Sequence, residues 1–127
     1  MTNRDDWLID MDAGPIFVQI AENVRRFLAR GELTPGEKLP SARELAQRLS
    51  VNPNTVVHAY SELEVEGVIE TKRGLGTFVR EDAPVETMQR NLLRSAAERY
   101  ASEFGRLGVS AKEAFAVLQE VLNAGET

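Results

Sequence analysis

The 127-residue chain contains no cysteine and a single histidine, His58. Disulfides and thiolate metal sites are therefore excluded, which suits a reducing compartment. One imidazole without clustered carboxylates supports neither a metal centre nor acid–base catalysis. No apolar run approaches membrane-spanning length, and the amino terminus, with Asp5, Asp6, Asp10 and Asp12, is the opposite of a secretory leader. Those aspartates lack the glycine and the distal glutamate that a calcium loop needs, so they read as a solvated arm. A phosphate-cradling glycine loop and paired carboxylates in an apolar setting are also missing. The expectation is a soluble, cytoplasmic protein that is not an enzyme, needs no cofactor or metal and does not engage a membrane.

Positive charge is scarce too, with a formal net charge of −5. Its distribution matters more than its sum. Residues 1–12 and 81–127 contribute −3 each, which leaves 13–80 at +1. Binding of a polyanion needs local cations where phosphates lie, and Arg43, Arg48, Lys72 and Arg73 supply them. The weak overall field predicts modest nonspecific affinity that salt removes easily. At this length there is room for one domain and an appendage, and a hydrophobic share of 43% suffices for a core with little margin.

Residues 1–13 read as an acidic, loosely held arm in which Trp7, Leu8, Ile9 and Met11 are able to pack as a short extended segment. Gly14-Pro15 opens a helix whose Phe17, Ile20, Val24, Phe27 and Leu28 share one face. Gly31 ends it, and Pro35-Gly36 makes a turn. Ser41 and Glu44 form a capping box that starts a second helix, with Leu45, Ala46 and Leu49 inward. After a tight turn at Ser50-Val51-Asn52, Asn52 caps a third helix with Pro53 in its first position. Val56, Tyr60 and Leu63 are its buried stripe, and Asn54, Thr55 and His58 look elsewhere. Ile69 to Thr71 and Thr77 to Val79 form a hairpin around Arg73-Gly74-Leu75-Gly76, with Phe78 as a core plug.

Two short helices joined by a turn, then a glycine-tipped ribbon, are the parts of a winged helix-turn-helix, whose last helix fits the major groove of B-DNA. The predicted fold class is mainly α with a small β-wing. Residues 1–80 form the DNA-binding domain and 81–127 a carboxyl-terminal helical hairpin. In that tail, Met88, Leu92, Ala96, Tyr100, Phe104 and Leu107 follow one another at near four-residue spacing. A helix over 84–107 is roughly 36 Å long at 1.5 Å per residue. Gly108 ends it, and Ser110 with Glu113 forms a second capping box before Ala114, Phe115, Leu118, Val121 and Leu122. Two helices have no third element to cover their apolar faces. Leu92, Ala96, Tyr100, Phe104, Leu107, Phe115, Leu118 and Leu122 are thus assigned to a homodimer interface.

Four ordered motifs carry a resemblance: Leu39-Pro40-Ser41-x-Arg43-Glu44-Leu45-Ala46, Asn52-Pro53-Asn54-Thr55-Val56, Tyr60-x-x-Leu63-x-x-x-Gly67 and Gly74-x-Gly76-Thr77-Phe78-Val79. Across roughly residues 15–122 the chain resembles the GntR family of bacterial transcription regulators, and its two-helix tail looks like the YtrA-type branch. The resemblance implies a homodimer whose recognition helices enter successive major grooves of a palindromic operator while the wing tips touch the minor groove. It places Arg43, residues 52–55, Arg73 and Gly74 on DNA, and it implies repression, commonly of a transporter operon. Two positions depart from the family pattern. Val57, followed by His58, stands where many members carry Arg, and Leu75 occupies a wing-tip position that is often basic.

The candidate DNA-binding residues are Ser41, Arg43, Asn52, Asn54, Thr55, His58, Lys72, Arg73 and Gly74. Arg43 lies in a first helical turn, where the macrodipole disfavours a cation, so its placement suits phosphate or guanine better than stability. Asn54 and Thr55 suit base edges, because Asn52 already caps the helix. Tyr60 belongs to the core, its hydroxyl within reach of a phosphate. The alternative reading is a winged-helix module that holds a protein partner without binding DNA, motivated by the acidic balance and Val57. Nothing in the sequence identifies a small-molecule effector. With two helices after the wing, such a site is expected between subunits or between tail and DNA-binding domain.

Overall fold

The computed structural model describes residues 6–125, so residues 1–5 of the predicted arm, Asp5 among them, lie outside the described residues. The chain is a mainly helical winged helix-turn-helix followed by two carboxyl-terminal helices. Its elements are α1 (Ile16–Ala29), α2 (Ala42–Leu49), α3 (Pro53–Val65), β1 (Ile69–Lys72), β2 (Gly76–Val79), α4 (Val85–Leu107) and α5 (Ala111–Ala124). It divides into two units, the first ending at Arg90 and the second beginning at Asn91. Among the described residues no helix is long and apolar enough to cross a membrane.

The first unit is built around α1. Ile20, Val24, Phe27 and Leu28 recur at helical spacing and are buried against Leu45, Val56, Leu63 and the wing residues Ile69 and Val79. α2 starts at the expected capping box, with Ser41 Oγ accepting from the Glu44 N–H at 3.1 Å and Glu44 Oε1 accepting from the Ser41 N–H at 3.1 Å. The turn into α3 runs through Ser50 in the left-handed region at φ 56°. Asn52 Oδ1 then accepts from the Asn54 N–H at 2.8 Å, which satisfies one orphan donor at the start of α3. Val56, Tyr60 and Leu63 are buried as the periodicity predicts, and Ala59 joins them.

Five local expectations need correction. The arm is not loose over its described part. Asn23, buried on α1, accepts from the Leu8 N–H at 2.8 Å and donates to the Leu8 carbonyl at 3.0 Å. One helical turn earlier, Gln19 treats Asp10 the same way, at 2.7 and 2.8 Å. Two side-chain amides thus grip alternate residues of the segment as a neighbouring strand does, and Trp7 meets Phe27 edge-on at 5.0 Å. Gly76 is the first residue of β2, paired with Lys72, so the wing turn is Arg73-Gly74-Leu75. Phe78 is half-buried with Lys72 Nζ 4.9 Å from its ring, and Val79 is the buried plug instead. The Tyr60 hydroxyl donates to the Pro40 carbonyl at 2.7 Å and ties α3 to the start of α2. At α5, Ser110 Oγ accepts from the Glu113 N–H at 3.1 Å, but the reciprocal bond that completes a capping box is not formed.

The wing has a further support. Residues 36–39 run beside β2, with the Leu39 N–H donating to Thr77 O and the Val79 N–H to Glu37 O, both at 2.8 Å. The first turns of α4 also belong to this unit: Met88 is buried and Gln89 Nε2 donates to Ala29 O at 2.6 Å. In the second unit Ala114 is buried, while Leu92, Ala96, Phe104 and Leu118 are half-buried. Tyr100, Leu107, Phe115 and Leu122 are 55–73% exposed, and Leu93, Val117 and Val121 are open as well.

Candidate nucleic-acid interface

Three exposed parts converge on the helix-turn-helix and wing: the start of α2, the outer face of α3 and the wing turn. At the first, the Ser41–Glu44 box fixes the helix start and leaves Arg43 pointing into solvent. The Ser41 backbone N–H, which donates to the Glu44 carboxylate, and then the Ser41 side chain hold the Glu44 carboxyl below its ordinary range. At the second, the cap at Asn52 aligns the first turn of α3 so that Asn54 is exposed and Thr55 half-buried. Asn54, Val57 and Ser61 form a solvent-facing row one helical turn apart. At the third, Lys72, Arg73 and Gly74 are all exposed. Gly74 has φ 79°, which the tight turn requires and a side chain resists. Gly76 has φ 122°, a backbone conformation that a side chain resists whatever the space around it.

Among the described residues no ion pair engages Arg43, Arg48 or Arg73, so these charges are available to an external anion. Arg25, by contrast, is committed within the fold. It bonds both Glu66 oxygens and Glu22, and the Glu66 bonds hold its guanidinium above its ordinary range. His58 is more constrained than the sequence suggests. Its ring stacks on Phe17 of α1 at 3.7 Å and 12°, and Nε2 stands 3.8 Å from Glu62 Oε1. The stack holds the imidazole toward α1, to one side of the Asn54–Val57–Ser61 row.

A cleft of about 280 Å³ lies beside that row, lined among others by Lys38, Ser41, Glu44, Val57, Tyr60 and Glu64. Lys38 is a cation that sequence reasoning passed over, although it immediately precedes the Leu39-Pro40-Ser41 motif. Among the described residues no cluster suited to a metal ion is present. The assembled surface has helix starts, amide and hydroxyl groups, an apolar side chain and cations at its margins. Such a set matches the chemistry of base edges and phosphates.

Comparison with known proteins decides between a regulator and a bare fold. Residues 17–79, from α1 through the wing, match the family described as bacterial regulatory proteins, gntR family. Over 100 residues the chain is 44% identical to the HTH-type transcriptional regulator YhcF of Bacillus subtilis, spanning 78% of this chain and 83% of that one. The chain belongs to the GntR family. It is also 52% identical over 69 residues to the HTH-type transcriptional repressor YtrA of Bacillus subtilis, which covers 54% of this chain and 53% of YtrA. A GntR family transcriptional regulator from Listeria monocytogenes superposes with a TM-score of 0.81 at 34% identity, covering 88% of this chain and 98% of that one. This GntR-family chain is therefore a DNA-binding transcriptional regulator of the short, YtrA-type kind and not an enzyme.

Proposed function

We propose that this GntR-family chain is a homodimeric repressor that binds a palindromic operator through the converging starts of α2 and α3 and the wing turn. The observation that carries this reading is the open set of groups there: Arg43 without an ion-pair partner among the described residues, the Asn54–Val57–Ser61 row, and Lys72 and Arg73 beside Gly74. Ser41 and Arg43 take phosphate or guanine, while Asn52, Asn54 and Thr55 face the major groove. His58 flanks them, and Lys72, Arg73 and Gly74 meet the minor groove or its phosphates. The part through the wing carries DNA binding, and the two terminal helices carry dimerisation. Exposure of Tyr100, Leu107, Phe115 and Leu122 supports the second assignment, since one copy leaves this apolar surface in water. A second copy covers it with matching residues, and the resulting twofold axis dictates a palindromic site. The repressor YtrA supports repression, and the YtrA-type resemblance supports a transporter operon as the target.

Selection of bound fragments from a random DNA pool with the full chain, followed by anisotropy titration at several salt concentrations, tests this. A palindromic sequence is expected to be enriched, with binding that weakens steeply as salt rises. Failure to enrich any sequence rejects operator binding and leaves a protein-interaction module.

A further inference from the structure

The outer face of α3 has an unusual chemistry for a helix that reads DNA. Its thirteen residues, Pro53–Val65, include no Lys or Arg, so the bidentate contact of Arg to guanine is closed to it. At the centre of the exposed row stands Val57, 50% open to solvent, between Asn54 one turn before and Ser61 one turn after. The apolar neighbours Val56, Ala59 and Tyr60 on the opposite side are buried, so Val57 is not an extension of the core stripe. A β-branched side chain in a helix keeps essentially one χ1 rotamer, and its two methyl groups are therefore presented in a fixed direction. It also lines one side of the cleft shared with Ala42, Tyr60, Glu44 and Glu64, so its methyl groups stand at the edge of a concave surface.

Among the four bases, only thymine offers an apolar group in the major groove, its C5-methyl. Asn54 complements adenine, whose N6 amino group donates to the amide oxygen while N7 accepts from the amide nitrogen. The two side chains are roughly 4.5 Å apart along the helix axis, against roughly 3.4 Å per base step, so neighbouring base pairs fall within reach of the pair. We propose that Val57 is a specificity-determining residue that seats the C5-methyl of one thymine in each half-site, beside an adenine read by Asn54. This rests on the operator-binding reading above and names what that site recognises.

Replacing thymines one at a time with deoxyuridine removes only the methyl group. Anisotropy titration of the full chain on its selected operator should reveal one thymine per half-site whose replacement weakens binding about fourfold, the worth of one buried methyl-sized group. Val57→Ala should bind the unmodified operator more weakly and be indifferent to that same replacement. Wild-type indifference at every thymine overturns the proposal while leaving operator binding intact, and needs no variant. An unchanged fourfold loss in Val57→Ala overturns it equally. If no operator is selected at all, the underlying reading fails and takes this one with it.

Discussion

Arg43 occupies the second position of α2, where the positive end of the helix dipole works against a cation and Glu44 beside it is already used in the cap. A residue so placed contributes little to folding and is free to serve a ligand. Arg43→Ala is expected to cost about 1–3 kcal/mol of operator affinity while leaving the thermal midpoint unchanged, measured by anisotropy and calorimetry together. Wild-type affinity in that variant removes Arg43 from the interface. Glu44 is the complementary case, a residue whose work is internal. Its carboxyl is held low by the Ser41 backbone N–H and side chain. A depressed folded pKa means the stabilisation is complete above the ordinary carboxylate range and is lost as pH falls through the depressed value. Unfolding free energy of wild type minus that of Glu44→Gln should therefore decline with acidification over that window. A difference that stays constant with pH contradicts the ionised cap.

Among the elements, the three helices and the wing were legible in the sequence because their signals are local. Ser41 with Glu44, Asn52 with Pro53, and the Val56–Tyr60–Leu63 stripe each specify a helix start or face within a few residues. An extended amino-terminal segment was legible, but the grip on it was not, because its partners Asn23 and Gln19 lie nine to fifteen residues away and bond to backbone rather than to a matching side chain. A buried Asn beside Val24 on an otherwise apolar face was the available clue. Asn23→Ala leaves the Leu8 backbone groups without these partners, and a loss of about 1–3 kcal/mol in denaturant unfolding is expected. An unaffected midpoint shows that the segment is not held there. Lys38 escaped for a related reason, since its segment pairs with β2 across a long stretch of chain. The constraint on His58 likewise depends on Phe17, far away in sequence. In α5, Phe115 and Leu122 are open to solvent, and the double change Phe115→Glu, Leu122→Glu is expected to convert a dimer to a monomer in light scattering. Persistence of the dimer shifts its interface off α5.

For the whole molecule, the net charge of −5 and the near-neutral stretch 13–80 rule out affinity from bulk attraction. Binding must then come from a few placed cations and from base contacts, and the proposed pairing of two copies would strengthen it by avidity. The charge distribution was readable from sequence, whereas the proposed pairing of two chains rests on the uncovered tail and the family resemblance. Hydroxyl-radical footprinting of the full chain on its selected operator tests both aspects in one pattern. Two protected half-sites related by a dyad are expected, with centres one helical turn of roughly 10.5 base pairs, or a multiple of it, apart. Protection of a single unpaired site, or of none, contradicts that expectation.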